Sequence, residues 1–468
     1  MLLRDPIHGD IELSPLETAL IDLPVMQRLR GIKQLGTAYL VYPGALHTRF
    51  DHAIGVCALA HRIVASLSRA GFTVTAEQEA AIGAAALLHD VTHVPFGHTL
   101  EDERRLFARH DKGARLARLL DGELGAALDR LGLRREVGAL LGQAGSLAEI
   151  SGADMPGTKI TGAGTPSAEM PGPGSGIAGA QMPGKEIPGA GLSVPGMPAW
   201  AREIVSGTID ADLLDYLRRD SFFAGLAHDY DDRILRAFAI HDDRLVLRLV
   251  KRGMDRPDTR SEIVGVLRLR YFLTERVYYH HTKVVAGAMI SKAVELAHDQ
   301  GLLGEDDLLD LNDWTLLDRL ARCAQPKAAA LARQVLNRDL LKRGYVVSGR
   351  GVPLPLRETW VARYHAARDE RARLERDLAA ALGLPFSQVI LYCPALTMMK
   401  EADVAVETSR GLARLNDPGQ DAFTEIGALQ ERYAGLWRFY VFVPAHATRR
   451  AAAVAGELFG LPSEFSGA

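Results

Sequence analysis

Apolar positions recur at helical spacing through most of the chain. They do so over 50–70 (FDHAIGVCALAHRIVASLSRA), 76–90, 203–225 and 261–299, and further helical stretches fill 304–343. Ser14-Pro15-Leu16-Glu17 predicts a helix start: serine caps, proline takes the first helical position, and glutamate closes a capping box. Pro24, just after Asp22, divides that stretch in two, and the second piece carries Gln27, Arg30 and Gln34 on one side. Residues 358–382 predict a charged helix with one face in solvent. Beyond it the pattern changes. QVILYCP, DVAVET and WRFYVFVPA are short β-branched or aromatic runs that predict strands, and ATRRAAAVAGELFG predicts a closing helix. The expected fold is mostly α: a helical bundle with a small C-terminal α+β lobe.

One stretch fits neither pattern. Residues 148–198 are rich in Gly and Pro, with a recurring M-P-G. Such a segment buries too little apolar side chain to offset its ordering entropy, so a disordered surface insertion is expected. A Gly-rich binding loop is the alternative, but the phosphate-loop spacing is missing. Helical patterning resumes afterwards, which implies one helical domain interrupted by an insertion. The expected parts are 1–147, the insertion 148–198, the continuation 199–382 with a helical extension, and the lobe 383–468.

Composition narrows the partners. The chain has 468 residues, 47% of them apolar, enough for a large core. Its formal charge of −3 shows no basic excess, so nucleic acid is not expected as the main partner. Cys57, Cys323 and Cys393 lie far apart and form no C-x-x-C pair, as expected of buried or idle thiols in a reducing compartment. MLLRDPIHGDIEL lacks a secretory pattern, and no continuous apolar run reaches the ~18 residues of a membrane span. A cytoplasmic protein is the resulting expectation.

The chemistry centres on His89-Asp90, in AALLHDVTHVPFGH. His52 lies upstream in HTRFDH, and Asp212 downstream in IDADLLDYLRRD. Two imidazoles and two carboxylates suit a divalent cation, and Fe, Mn, Mg, Ni and Zn all accept such a set. Pro95 predicts that the helix ends near it, leaving His93 and His98 on a turn beside the cation. Histidine passes protons near neutral pH, so either one, oriented by Glu101 or Asp102, is placed to protonate a leaving oxygen. Arg49 shares the helical face of His52 and suggests a phosphate clamp. Tyr216 and Asp220 follow Asp212 at four and eight residues, again on one face. Arg270, Arg276, Tyr278 and His280 either complete a pocket for an anion or form a solvated charged face.

These strings resemble the HD-domain phosphohydrolase superfamily. DPIHGDIEL, IDLPVMQRLRGIKQLGTAYLVYPGALHTRFDHAIGV, ALLHDVTHVPFGHTLED and IDADLLDYLRRDSFFAGL resemble its dNTP triphosphohydrolase branch, without a SAM domain. The likeness runs from residue 5 to the C-terminal lobe, omitting 148–198. It implies His52, His89, Asp90 and Asp212 as metal ligands, with His93, His98 and His110 near the α-phosphate. Glu101 stands where the branch usually has aspartate, and its reach to His98 differs accordingly. Gln34 and Leu35 would approach the deoxyribose. Arg49, Tyr216, Asp220, Arg270 and Tyr278 would hold phosphates, sugar and base. The implied reaction is attack of water on the α-phosphorus, giving deoxynucleoside and triphosphate, by a homo-oligomer (dimer or tetramer). Asp22, Gln27 and Arg30 match guanine-reading positions of a second, activating nucleotide site, while a lysine that holds the activator's phosphates aligns with Met1. Two other readings share the metal set: an HD hydrolase of a different nucleotide or phosphoester, and a nucleotide-sensing module.

Overall fold

The computed structural model describes residues 1–107, 109, 114–142, 197–396 and 398–465. The expected insertion falls outside these residues except for its last two. Met197 is buried in the core, and Pro198 caps helix Ala199–Val205.

The described chain is mostly helical, with four small sheets. Helix Arg49–Arg69 is the central rod. Thr48 starts it with a capping box closed by Asp51, whose carboxylate accepts the Thr48 N–H at 2.8 Å. Among the described residues it is the one helix whose length and hydropathy match a membrane span, yet it is 72% buried inside the molecule. Its neighbours are helices Ala76–Leu88 and Ala211–Phe223. Ala81, Ala84, Ala85 and Ala86 are fully buried, and their small side chains let the first neighbour approach closely. Gly55 performs the same service on the other side: a Cβ there would collide with the carboxylate of Asp215 and the guanidinium of Arg219.

Before the rod comes an antiparallel hairpin, Leu2–Asp5 with Gly9–Glu12. Asp5 shapes its turn by accepting the N–H groups of Ile7 and His8, both at 2.8 Å. The predicted capping box is present at Ser14 and Glu17, and the helical stretch does divide, into Pro15–Ile21 and Pro24–Gln27.

Besides a two-stranded ladder of Val250–Lys251 with Met254–Asp255, two larger sheets complete the described fold. One has the order Gly411–Arg414, Ala405–Thr408, Arg244–Arg248, Phe238–His241, with a parallel pair at its centre. The other places Arg438–Val443 between Lys342–Ser348 and Ile390–Tyr392, all antiparallel. The three runs predicted as strands are strands. The remaining strands come from segments whose alternation is too short to separate from helical patterning.

The expected 203–225 stretch is split between Ala199–Val205 and Ala211–Phe223, and two further expected helices are interrupted. The 261–299 stretch becomes Pro257–Leu273, a wide π-turn Thr274–Tyr278, and His281–His298 capped by the His280 ring. The 358–382 stretch becomes Leu354–Trp360, another π-turn at Val361–Ala366, and Arg368–Leu382. In the second case one face of Arg368–Leu382 lies in solvent as expected, while the inward face carries charge as well, Arg371 and Glu375 being buried.

Candidate functional site

His52, on the central rod, and His89, at the C-terminal cap of Ala76–Leu88, bring their Nε2 atoms to 3.2 Å. The Asp212 carboxylate, in the first turn of Ala211–Phe223, reaches His52 Nε2 at 2.9 Å and His89 Nε2 at 3.7 Å. Asp90 stands beside them, its Oδ1 3.5 Å from His89 Nε2 and its Oδ2 3.8 Å from His52 Nε2. Three helices therefore deliver four donors to one point.

The outer nitrogen of each ring decides what the inner one can do. His52 Nδ1 lies 2.7 Å from Asp215, and His89 Nδ1 lies 2.8 Å from the carbonyl of Ala86. Both are acceptors, so Nδ1 of each ring carries the proton and Nε2 is left with a lone pair. Two lone pairs and a carboxylate oxygen at these distances repel unless a positive charge lies among them. A proton on His52 answers that demand: burial opposes it, but Asp212 and Asp215 push its pKa up to about 10. A divalent cation answers it equally, and His52, His89 and Asp212 place their donor atoms within 4.8 Å of one another. The donor set thus fits a metal ion.

Behind the donors stands a buried charged chain that spacing did not disclose. Asp215 accepts from Arg219 at 2.8 and 2.9 Å and meets His8 Nε2 at 2.6 Å, while Arg219 continues to Asp5 at 2.8 Å. Burial raises the cost of ionising Asp215, but Arg219 and its two histidine partners hold the carboxyl well below its usual range. Asp215 and Arg219, both with no exposed surface, stand four residues apart on one helix. In sequence alone that spacing reads as an ordinary surface pair.

The turn after His89-Asp90 is tightly shaped. Phe96 and Gly97 have φ of 59° and 53°. A Cβ on Gly97 would stand 2.7 Å from Arg49 Nη2, so both the space and the backbone favour glycine there. Arg49 Nη1 donates to Asp90 Oδ2 at 2.5 Å. Burial alone would raise the Asp90 pKa, but Arg49, His93 and His89 keep its carboxyl well below the usual range. His93 Nε2 is 3.0 Å from Asp90, and its ring meets that of His98 edge-to-face. His98 is half exposed, with Asp102 at 3.1 Å and Glu101 at 3.9 Å. The nearer acid is Asp102. Glu101 lies fully buried behind the cavity wall, where Arg115 donates to it at 2.5 Å. His110 lies outside the described residues.

From this point a cavity of about 640 Å³ opens. Gln34 and Leu35 form one wall, and Tyr216, Asp220, Arg270 and Tyr278 another. Asp220 accepts from Tyr278 at 2.7 Å and meets His47 at 2.8 Å. Arg270 donates to the Tyr216 hydroxyl and has Glu401 at 2.9 Å from its Nε. Gln34 Oε1 is buried without a hydrogen-bond partner, as is Glu401 Oε2. Asp22, Gln27 and Arg30 do not line this cavity. They stand at the surface, with Gln27 donating to Ile21 and Arg30 donating to Gln27 while lying 3.5 Å over the Phe50 ring.

Two loops of the site share supports. Asp313, at the start of helix Asp313–Arg322, accepts the Lys33 N–H at 3.0 Å and the Phe96 N–H at 2.7 Å. Arg28 donates to the carbonyls of Val91, His93 and Leu311 at 3.2, 2.7 and 3.0 Å.

The model of the HD domain matches residues 49–139, and that of the HD associated region matches 229–466, just over half of the chain. The chain belongs to the HD-domain phosphohydrolase family. His52, His89 and Asp90 lie within the first match, while Asp212 lies between the two. An uncharacterized protein of Methanocaldococcus jannaschii is 28% identical over 352 residues, 74% of this chain and 60% of that one. The deoxynucleoside triphosphate triphosphohydrolase SAMHD1 of Danio rerio is 48% identical over 100 residues, 21% of this chain and 16% of that one. The chain thus spans less than two thirds of each of these relatives. A solved phosphohydrolase of Bacteroides thetaiotaomicron has the same fold, with a TM-score of 0.62 at 21% identity, covering 95% of this chain and all of that one.

Proposed function

We propose that this HD-domain hydrolase is a metal-dependent dNTP triphosphohydrolase that releases a deoxynucleoside and triphosphate. The observation that carries the reading is one cavity lined by two of the four donors, Asp90 and Asp212, together with Gln34, Tyr216, Asp220, Arg270 and Tyr278. Its volume of about 640 Å³ suits a nucleotide-sized ligand. The SAMHD1 relatives, named for this reaction, support the same reading.

In this reading His52, His89, Asp90 and Asp212 hold the cation. When bound, it polarises a phosphoryl oxygen and makes water a better nucleophile. Arg49, its guanidinium fixed by Asp90 and lining the same cavity, faces the phosphate nearest the reaction. His98, with Asp102 behind it, donates a proton to the departing oxygen. Asp220 and Gln34 accept from the sugar, and Tyr278, its phenol proton held by burial and by Asp220, packs against the ring. The same reading takes the protein as a homo-oligomer and Asp22, Gln27 and Arg30 as a nucleotide-activation site. Saturating dGTP or GTP that neither assembles the protein nor alters turnover of a second dNTP rejects that activation.

One observation favours a second reading, a hydrolase of a smaller phosphoester. Arg49 is already paired with Asp90 and Arg270 with Glu401, which leaves less free positive charge for a long polyphosphate. Incubation of the purified protein with each dNTP and Mn or Mg separates the two. Triphosphate release supports the first reading, and single-phosphate release from other esters supports the second. His89→Ala and Asp90→Ala are expected to reduce turnover to background; unchanged turnover sinks both readings.

A further inference from the structure

We propose a second cation site, built from Glu17, Cys57 and His61 between helices Pro15–Ile21, Arg49–Arg69 and Ala76–Leu88. It takes a zinc-class ion on thiolate, imidazole and carboxylate. It lies along the central rod from His52, nine residues away at His61, a rise of about 14 Å. It shares no ligand with the four-donor point and does not depend on the proposed reaction.

Cys57 and His61 stand one turn apart on the rod and share a face. Glu17 meets them from its own helix. Its Oε2 is fixed by the capping box, accepting the Ser14 N–H at 2.8 Å. That constraint aims Oε1 inward, 2.5 Å from His61 Nε2 and 3.5 Å from Cys57 Sγ. The three donor atoms all lie within 4.8 Å of one another. A tetrahedral zinc ion, with bonds of about 2.0–2.3 Å, spaces its donors roughly 3.3–3.6 Å apart. The Cys57–Glu17 distance already has that value. Glu17 and His61 need only separate by about 1 Å.

Two neighbours are arranged as a ligand set needs. Glu79 stands 3.3 Å from His61 Nδ1, the outer-nitrogen carboxylate that orients a ligating imidazole. Gly83 faces the cluster from the adjoining helix. A Cβ there would stand 2.5 Å from Glu17 Oε1 and 2.9 Å from His61 Nε2. Glycine weakens a helix interior, and here it keeps open the space the ion would take. The His61 side chain is one-third exposed, which gives a path inward and room for a water as fourth ligand. A sulfur–nitrogen–oxygen set selects zinc or cobalt over magnesium or calcium. The competing account is a buried Glu17–His61 ion pair with Cys57 as filler; it gives the thiol no bond to metal.

Cobalt(II) separates the two accounts, because only a thiolate ligand gives a near-ultraviolet sulfur-to-cobalt charge-transfer band. The other donor set contains no sulfur. Metal-free protein titrated with cobalt is expected to develop the band, saturating by two equivalents per chain, one of which the sulfur-free four-donor point takes without contributing to the band. Cys57→Ala is expected to abolish it, and a Cys323→Ala/Cys393→Ala double variant to retain it. Gly83→Ala, which strengthens the helix while filling the space, is expected to abolish the band with helicity intact by circular dichroism. Elemental analysis after zinc loading is expected to show one ion fewer per chain in Cys57→Ala. Cobalt uptake without the band, no uptake, or a band that survives Cys57→Ala overturns the site.

Discussion

Asp215 lies three residues beyond Asp212 and has the opposite task. Asp212 offers oxygen to the donor point, whereas Asp215 fixes the ring of His52 from behind and is itself fixed by Arg219 and His8. Asp215→Asn keeps the size of the side chain but removes the charge that sets the His52 ring and balances Arg219. Metal affinity is expected to fall by about 10–100-fold, read by titration, with helical content unchanged. The four donors were legible in the sequence because their order and surroundings match a family pattern. Asp215, Arg219, Asp5 and His8 were not, because what distinguishes them is burial and contact across more than 200 residues of chain. Glu101 is shared: its position suggests a partner for His98, whose Nδ1 lies 3.9 Å from Glu101 Oε2, while Arg115 donates to Oε1.

At the level of elements, the site depends on two loops held by one helix start. Asp313 accepts backbone N–H groups from Lys33, next to Gln34, and from Phe96, whose φ of 59° is unusual for a side chain of that size. Asp313→Ala leaves two donors without this acceptor, each worth about 1–3 kcal/mol when buried unsatisfied. The expected result is a lower melting temperature and a raised KM, with Asp313→Asn recovering part of both. Periodicity carries most helix positions, and the Ser14 capping box is legible in the sequence because its two partners lie three residues apart. The π-turns at Thr274–Tyr278 and Val361–Ala366 are not, since a single wide turn leaves the 3.6-residue pattern nearly unchanged on either side. The left-handed pair Phe96–Gly97 was legible only as a loop, because its shape follows from Arg49 and Asp313, far away in sequence.

For the whole molecule, the telling feature is a buried charge network between the HD half and the later helices. Arg104 donates to Glu375 at 2.9 Å and to Glu295 at 2.5 Å, and Lys292 donates to Glu375 at 2.6 Å. Glu375→Gln leaves buried cations under-compensated and is expected to cost about 3–5 kcal/mol at neutral pH, measured by urea unfolding. Burial opposes the ionisation of Glu375, but Arg104 and Lys292 lower its pKa below the unfolded value of 4.5. Its contribution is therefore fully present above that value and lost as pH falls toward the folded one. The gap between the native protein and Glu375→Gln is expected to narrow below about pH 4.5. Composition announced abundant charge but not that some of it would meet inside, because side chains at 104, 292, 295, 371 and 375 read as surface in each local pattern.

The charged chain running from Asp5 through Arg219 and Asp215 to His52 also bears on timing. Its members are scattered from the first hairpin to the end of helix Ala211–Phe223, and the donor point itself spans positions 52 to 212. During synthesis the early helices can form while the centre still lacks one donor and the support of His52. Contacts so distant along the chain close late. The ion would therefore be captured as one of the last events of assembly, and a ribosome-bound chain halted before residue 212 would be expected to hold it poorly.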